Sequence, residues 1–470
     1  MKLVAGLVAA ALSASLLVDD AARYEPAMTA EVRPLANGQM LADMNFNEAA
    51  PVYIFRRSAV TRDTQQSWRV GQWQVETPGV ELRRIGLYDA LVRSDARPLK
   101  GKVRIRFTPH RGLLIADYAN ALHLTDGTLA IFSDHFALRP APSIEAVAAL
   151  GADINALPDY EGGNPLVTFR AAGSAMSHRG ERHETLRLET PAYVLFGPAK
   201  PRNGEHIATV IDPGLPGWLA SQLEVGVPAI MNIYAERLGA RKGEKPELIV
   251  AWNGPTEGRV SLGGSVLGDT IVMQIEGQAL TRPTRSAYVY ARQFIAHEAA
   301  HFWLGNTVGY GEPGEAWTTE GGADLMAQRA AEIIDPDHDS LPTIDRAFND
   351  CAILSADGPL KTAPERHGQE IFYACGAIFS LAAEAVENQN GGDLFSFWSR
   401  LIEANREDGT VTVAEWLDAM RGAGASAEAV RIIAAMHEVG SDDPKASLLA
   451  LMEEVGVEAW QEGDGRIHLR

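Results

Sequence analysis

The residues in this chain best suited to chemistry lie in "FIAHEAAHFWLGN", residues 294 to 306. His297 and His301 are four positions apart, so on a helix their side chains leave about 40° apart in azimuth and about 6 Å apart along the axis. Both imidazoles can then reach one ion. Glu298 projects beside them without having to coordinate, close enough to take a proton from a water on that ion. A cation held by two histidines needs a third protein donor if a fourth position is to stay open for reacting water. Glu320, nineteen positions after His301, opens a second predicted helix in "EAWTTEGGADLMAQRAA", and the eighteen residues between suffice for a loop and an antiparallel return. The pattern suits a hydrolytic zinc site with one ion per chain, in which His297, His301 and Glu320 are the ligands and Glu298 is the base.

The segments "HEAAHFWLGN" and "WTTEGGAD", with eighteen residues between the second histidine and the glutamate, resemble the gluzincin peptidases. The likeness is specifically to the aminopeptidase N (membrane alanyl aminopeptidase) family, whose pattern is H-E-x-x-H-x-W-x-G-N followed by W-x-x-E-G-x-A. Trp303, Gly305 and Asn306 stand at the matching positions, and the resemblance covers about residues 285 to 385. It implies a thermolysin-like catalytic domain, a zinc cofactor and a peptide substrate. It also implies an oxyanion-stabilising tyrosine: the family's Y-x-K-G is met here by "FYACG", with Tyr373 and Gly376 in place and Cys375 where the lysine stands. Asn306, from the same motif, is expected with Asp324 to support the ligands from behind. Asp324, four positions after Glu320, either accepts the free N–H of a liganding histidine, as in thermolysin-like relatives, or sits on an exposed helix face beside Arg329.

The departure from the family lies upstream, where its G-x-M-E-N strand binds the free amino terminus of the substrate. Here the equivalent region reads "LGGSVLGDTIVMQIEG". Gly263 and Gly264 suit an edge strand, but the amine-binding glutamate is absent, and Asp269 and Glu276 are the acids that could stand in. The expectation is therefore an aminopeptidase-like zinc peptidase. An endopeptidase or specialised peptidase that ignores the amino terminus, a zinc hydrolase acting on a non-peptide bond such as an epoxide, and a non-catalytic zinc-containing binding protein stay open as alternatives.

A chain of 470 residues is too long for one core and predicts two or three domains. Hydrophobic content of 46% with 22% charged residues is that of a folded protein. Net charge of −19, from 61 acidic against 42 basic side chains, repels phosphate backbones and excludes nucleic acid as a partner. At the N-terminus one lysine precedes an apolar run from Leu3 to Val18, rich in small residues, with Ser13 and Ser15 near a cleavage point; this is the outline of a secretory signal. Read instead as a membrane anchor, its sixteen positions fall short of the roughly 20 apolar residues that span a bilayer. The expectation is export to the periplasm or medium, with no stable membrane insertion once the signal is removed. Two cysteines, Cys351 and Cys375, suggest one disulfide in such a compartment, the alternative being two separate buried thiols.

The frame expected around the site is α+β: a signal peptide over 1–22, an N-terminal β-sheet domain over 23–200, a thermolysin-like catalytic domain over 201–385 and a short C-terminal helical segment over 386–470. "GKVRIRFTP" alternates Val103, Ile105 and Phe107 against Lys102, Arg104 and Arg106, as a half-buried strand does. "WRVGQWQVE" alternates about Gly71 and predicts a strand with a bulge. The segment "PGWLASQLEVGVPAIMNIYAERLGA" predicts a helix ending at Gly239, and "SAYVYARQFIAHEAAHFWLG" predicts another. "ANREDGTVTVAEWL" mimics half a calcium loop, but Ala404 and Arg406 occupy ligand positions that need oxygen donors, so no calcium site is expected there.

Overall fold

The alternation read in "GKVRIRFTP" builds the strand Leu99–Phe107, with Leu99, Val103, Ile105 and Phe107 buried and Lys100, Lys102 and Arg104 outward. The structure is a computed structural model that describes residues 26–115, 117–151, 157, 164–463 and 465–470. The signal segment 1–22 lies outside the described residues. The architecture is α+β, with three sheets before residue 200 and helices dominating after it.

The first sheet has six strands in the order Thr185–Leu188, Leu166–Arg170, Met28–Pro34, Met40–Ala50, Leu99–Phe107 and Gln74–Val75. A four-stranded sheet around Val52–Phe55 and a five-stranded sheet around Tyr193–Phe196 pack with it over one core, which includes Phe46, Tyr53, Ile105, Phe136 and Val194. The bulged strand expected for "WRVGQWQVE" is not formed; only Gln74–Val75 is extended. The reason is Arg69, fully buried, whose guanidinium pairs with Asp89 at 2.9 Å and lies over the rings of Phe55, Trp68 and Trp73. Enclosing that charge folds the chain into a turn, closed by bonds from the Gln72 and Trp73 amides to the Arg69 carbonyl.

The next sheet supports the chemistry. Its order is Arg202–Asn203, Ala208–Ile211, Glu247–Trp252, Thr270–Glu276 and, at the edge, Ser261–Leu267. Both faces of its centre are buried. Ile249, Ala251 and Val272 pack on Phe132, Tyr193 and Leu195 of the N-terminal half, while Leu248, Val250 and Met273 face the helices. That explains why Glu247–Trp252 is apolar almost throughout instead of alternating.

In chain order the helices are α1 (Ile144–Ala148), α2 (Gly217–Leu238), α3 (Arg285–Ala300), α4 (Trp317–Ile334), α5 (Leu341–Leu354), α6 (Glu370–Gln389), α7 (Leu394–Ala404), α8 (Val413–Gly422), α9 (Ala427–Glu438) and α10 (Pro444–Val455). Helix α2 stops where expected, at Gly239 with φ 79°. Glu415, which mimics a calcium ligand in the sequence, instead closes a capping box with Thr412 at the start of α8. No helix among the described residues is long and apolar enough to cross a membrane. Cys351 of α5 and Cys375 of α6 form a disulfide, as the cysteine count suggested.

Candidate metal centre

Helix α3 starts at Thr284, whose hydroxyl accepts from the Ala287 amide, and buries Ala287, Ala291, Ile295 and Ala299. Its end is pinned to α2 by two bonds: the Tyr234 hydroxyl donates to the Ala296 carbonyl at 2.9 Å, and Trp303 Nε1 donates to the Gly239 carbonyl at 2.9 Å. Trp303 is thus a strut. The helix ends at Ala300, with His301 as its still right-handed cap. His301 Nδ1 donates to the Leu304 carbonyl at 3.0 Å, which leaves Nε2 free to bind. His297 Nδ1 meets Asp324 Oδ1 at 2.8 Å, with the same consequence for its Nε2. Of the two placements open for Asp324, the structure adopts the one behind a histidine.

Helix α4 carries Glu320 back to these rings. Its first turn is fixed by Trp317, fully buried, which packs edge-on against Phe379 and Trp416 and donates from Nε1 to His437 Nδ1 at 3.2 Å. Helices α4 and α6 then cross backbone to backbone at Gly321 and Gly376: a Cβ on Gly376 would lie 2.9 Å from the Gly321 Cα, and one on Gly321 would fall within the Gly376 backbone. Farther along, Arg329 Nη2 pairs with Glu384 Oε2 at 2.6 Å. The glycine after Glu320 and the glycine three positions after Tyr373 therefore bring those two side chains to one centre. The sequence displayed both glycines, but only the crossing reveals their purpose.

His297 Nε2, His301 Nε2 and Glu320 Oε2 form a triangle with edges of 3.0, 3.4 and 3.3 Å. Donors at about 2.0–2.1 Å from a tetrahedral ion stand about 3.3–3.4 Å apart, so one zinc-sized cation fits. With the neutral imidazoles carrying their protons on Nδ1, the buried Glu320 Oε2 faces two Nε2 lone pairs and no donor, which is costly unless a cation meets it. Among the described residues, the groups of histidine, cysteine and carboxylate able to hold an ion reduce to these three.

The electrostatics point the same way. Burial disfavours charge on His297, yet Asp324 and Glu320 outweigh it and hold the pKa at about 10. Burial likewise opposes charge on Glu320, but the two histidines pull its carboxyl well below the usual range. The cluster stabilises positive charge at its centre. Glu298 is raised, first by burial and then by Glu320 and Asp324, with the histidines opposing. The Tyr373 ring lies 5.8 Å from the His297 ring at 29°, and burial and then the Glu320 charge keep its phenol protonated.

Asn306 does not join the group behind the ligands. Its amide donates to the Gly268 carbonyl at 2.9 Å, tying the end of the α3 region to the hairpin of the edge strand. The place behind His301 belongs to a backbone carbonyl instead. Neither acid considered as a substitute for the missing glutamate is free. Asp269 receives Arg179 and Arg241, each at 3.2 Å, and Glu276 pairs with Arg259 at 2.7 Å. One neighbour gave no sequence signal. Tyr118, from the N-terminal half, donates to the Val266 carbonyl of the edge strand at 2.7 Å, and its pKa, raised chiefly by burial, is also raised by Glu298.

No protein-family model matches this sequence, and no curated protein matches it. Among solved structures, the chain is similar to an aminopeptidase N family protein from Idiomarina loihiensis, with a TM-score of 0.64 and 11% identity over 93% of this chain and 79% of that one. It also aligns with yeast LTA4 hydrolase, at a TM-score of 0.48 and 13% identity over 88% of this chain and 67% of that one. An M1 zinc metallopeptidase from Deinococcus radiodurans bound to a Tyr-Ser-Ala substrate gives 0.43 and 14%, over 90% and 92%. At these identities the likeness is one of fold, and only the first is near enough to support it.

Proposed function

We propose that this protein is a zinc-dependent peptidase of the aminopeptidase N kind, with residues 201–385 as its catalytic unit. The observation that carries the reading is the convergence of His297, His301 and the unpartnered Glu320 Oε2 on one point. Beside that point stand Glu298 and Tyr373, which mere metal storage would not need. Zinc held there would polarise a scissile carbonyl and lower the pKa of a water toward about 7.

The chain's own residues account for the rest. Glu298 takes the proton of the attacking water and delivers it to the leaving amine; its raised pKa brings its protonated and ionised forms closer in energy. The Tyr373 hydroxyl donates to the oxygen on which negative charge develops. Asp324 and the Leu304 carbonyl hold the two imidazoles with Nε2 inward.

A second reading, of a peptidase that does not clamp a free amino terminus, has an observation in its favour. The edge strand Ser261–Leu267 carries no carboxylate, and Asp269 and Glu276 are engaged in ion pairs. Cleavage rates for one peptide in free and N-acetylated forms separate the two: equal rates support the second reading, loss on acetylation the first. The peptidase proposal itself is tested with Glu298→Gln, which keeps about one zinc per chain by metal analysis and loses nearly all hydrolysis. Undiminished turnover would refute the role of Glu298. The disulfide supports the export read from the N-terminal segment, and N-terminal sequencing of protein recovered outside the cytoplasm checks it.

A further inference from the structure

Helix α3 buries Ala287, Ala291, Ile295 and Ala299 on one side and carries His297 and His301 on another. His297, itself buried, and the partly buried His301 lie on that second side, and Tyr290 shares their azimuth. Seven residues before His297, it emerges about 20° from the histidine's azimuth and about 10 Å nearer the helix N-terminus. Tyr290 is 54% exposed, and among the described residues it has neither a hydrogen-bond partner nor a stacked ring. Between it and the histidines stands Phe294, whose ring would be 2.7 Å from a Cβ on Gly264, so the edge strand closes onto α3 at that level. Gly263 and Gly264 are exposed and bring no side chains to cover the adjoining face. The strand's outer side has no partner strand among the described residues.

We infer that Tyr290 forms the wall of a subsite for an aromatic or large apolar side chain of the peptide, about three residues from the bond that is cut. The inference rests on the peptidase reading above. An extended peptide advances about 3.3 Å per residue, so the spacing from His297 to Tyr290 corresponds to about three residues. A paired ring and the apolar area it covers together give roughly tenfold in affinity over alanine.

The test uses alanine-based peptides, each with one phenylalanine at a different position, cleaved by the zinc-loaded protein and read by mass. Fluorescent forms of the same peptides are titrated onto the zinc-loaded Glu298→Gln protein. The expected kcat/KM ratio of phenylalanine to alanine peptide is about tenfold when the ring lies three residues to one side of the cut bond. Tyr290→Ala brings that ratio to about one, and Tyr290→Phe, which keeps the ring, restores it. The titration shows the same preference in Glu298→Gln and loses it in the double variant with Tyr290→Ala. A preference that survives Tyr290→Ala, or no preferred position at all, overturns the subsite. If no peptide is cut while the titration still shows the Tyr290-dependent preference, the subsite stands and the catalytic reading falls.

Discussion

Replacing Gly321 by alanine places a methyl group inside the backbone of Gly376. Carbon atoms rest about 3.5–4.0 Å apart, so relief requires the two helices to separate locally by about 1 Å or more. Two terms compete. Alanine in a helix gains about 1 kcal/mol over glycine, whereas overpacking costs about 1–3 kcal/mol and more when the obstacle cannot rotate away. Here the obstacle is main chain, and the neighbouring disulfide and the Arg329–Glu384 pair resist the shift, so the penalty wins. The functional effect is larger than the loss of stability. Glu320 precedes Gly321 and Tyr373 lies three residues before Gly376, so widening the crossing moves the proposed hydroxyl donor away from the proposed metal ligand. A displacement of about 1 Å in such a constellation costs about a hundredfold in kcat. The assay pairs thermal unfolding with peptide hydrolysis at a temperature where the variant is fully folded. Gly422→Ala is the control, because no heavy atom lies within 4 Å of its added Cβ, and it should be neutral or mildly stabilising. If Gly321→Ala matches the wild type in stability and in kcat, the crossing does not position the site and the reasoning fails.

Tyr373→Phe should lower kcat by about a hundredfold to a thousandfold while KM changes little, and an unchanged kcat in steady-state assays would remove its hydroxyl from the mechanism. The double variant Cys351→Ser, Cys375→Ser opens a loop spanning a separation of 24 residues, for a loss of about 3.5 kcal/mol in denaturant unfolding; a loss below about 1 kcal/mol would contradict that estimate. Glu247 is fully buried and no side chain pairs with its carboxylate; burial raises its pKa from 4.5 to about 7, with the backbone amides of Arg179 and Gly180 and then the Arg179 charge opposing. Its neutral form fits the fold, so the stability it contributes is full below about pH 4.5 and is lost as pH rises to about 7, to a total of about 3 kcal/mol. Glu247→Gln should therefore be the more stable protein at pH 8 by a similar amount, and identical unfolding curves for the two proteins across pH 4 to 8 would show that Glu247 does not titrate in this way.

The legible parts of the site are those set by spacing within a helix or across one short loop. Spacing places both histidines on one face of α3, and a single loop returns Glu320 to them, so the sequence shows all three donors. Helix α2 could be read to its last residue because Gly239 takes a backbone conformation that glycine favours. The misreadings share a cause. Trp68 to Val75 looked like a strand until Arg69 met Asp89, twenty positions away, and bent the chain around a buried charge. Asn306 matched a motif, but its partner is a carbonyl in the edge-strand hairpin, 38 residues earlier. Tyr118 reaches the edge strand across 148 residues, and nothing near it in sequence marks it.

Each working side chain sits within a few residues of a contact to a remote element. For His297 the contact is Asp324; for Glu320 it is the backbone of α6; for Tyr373 it is the bridge from Cys375 to α5; and for the end of α3 it is the Trp303 bond to α2. A pentapeptide motif can thus supply donors without supplying their arrangement. The two kinds of residue should separate by experiment. Substitution of a donor removes the ion, whereas substitution at an anchor leaves three intact donors and shifts their alignment with Glu298 and Tyr373. Binding tolerates such a shift because an ion draws flexible donors to itself. Proton transfer to the base and donation to the oxyanion do not, since both depend on separations of about 3 Å. Anchor variants should therefore lose kcat well before they lose zinc.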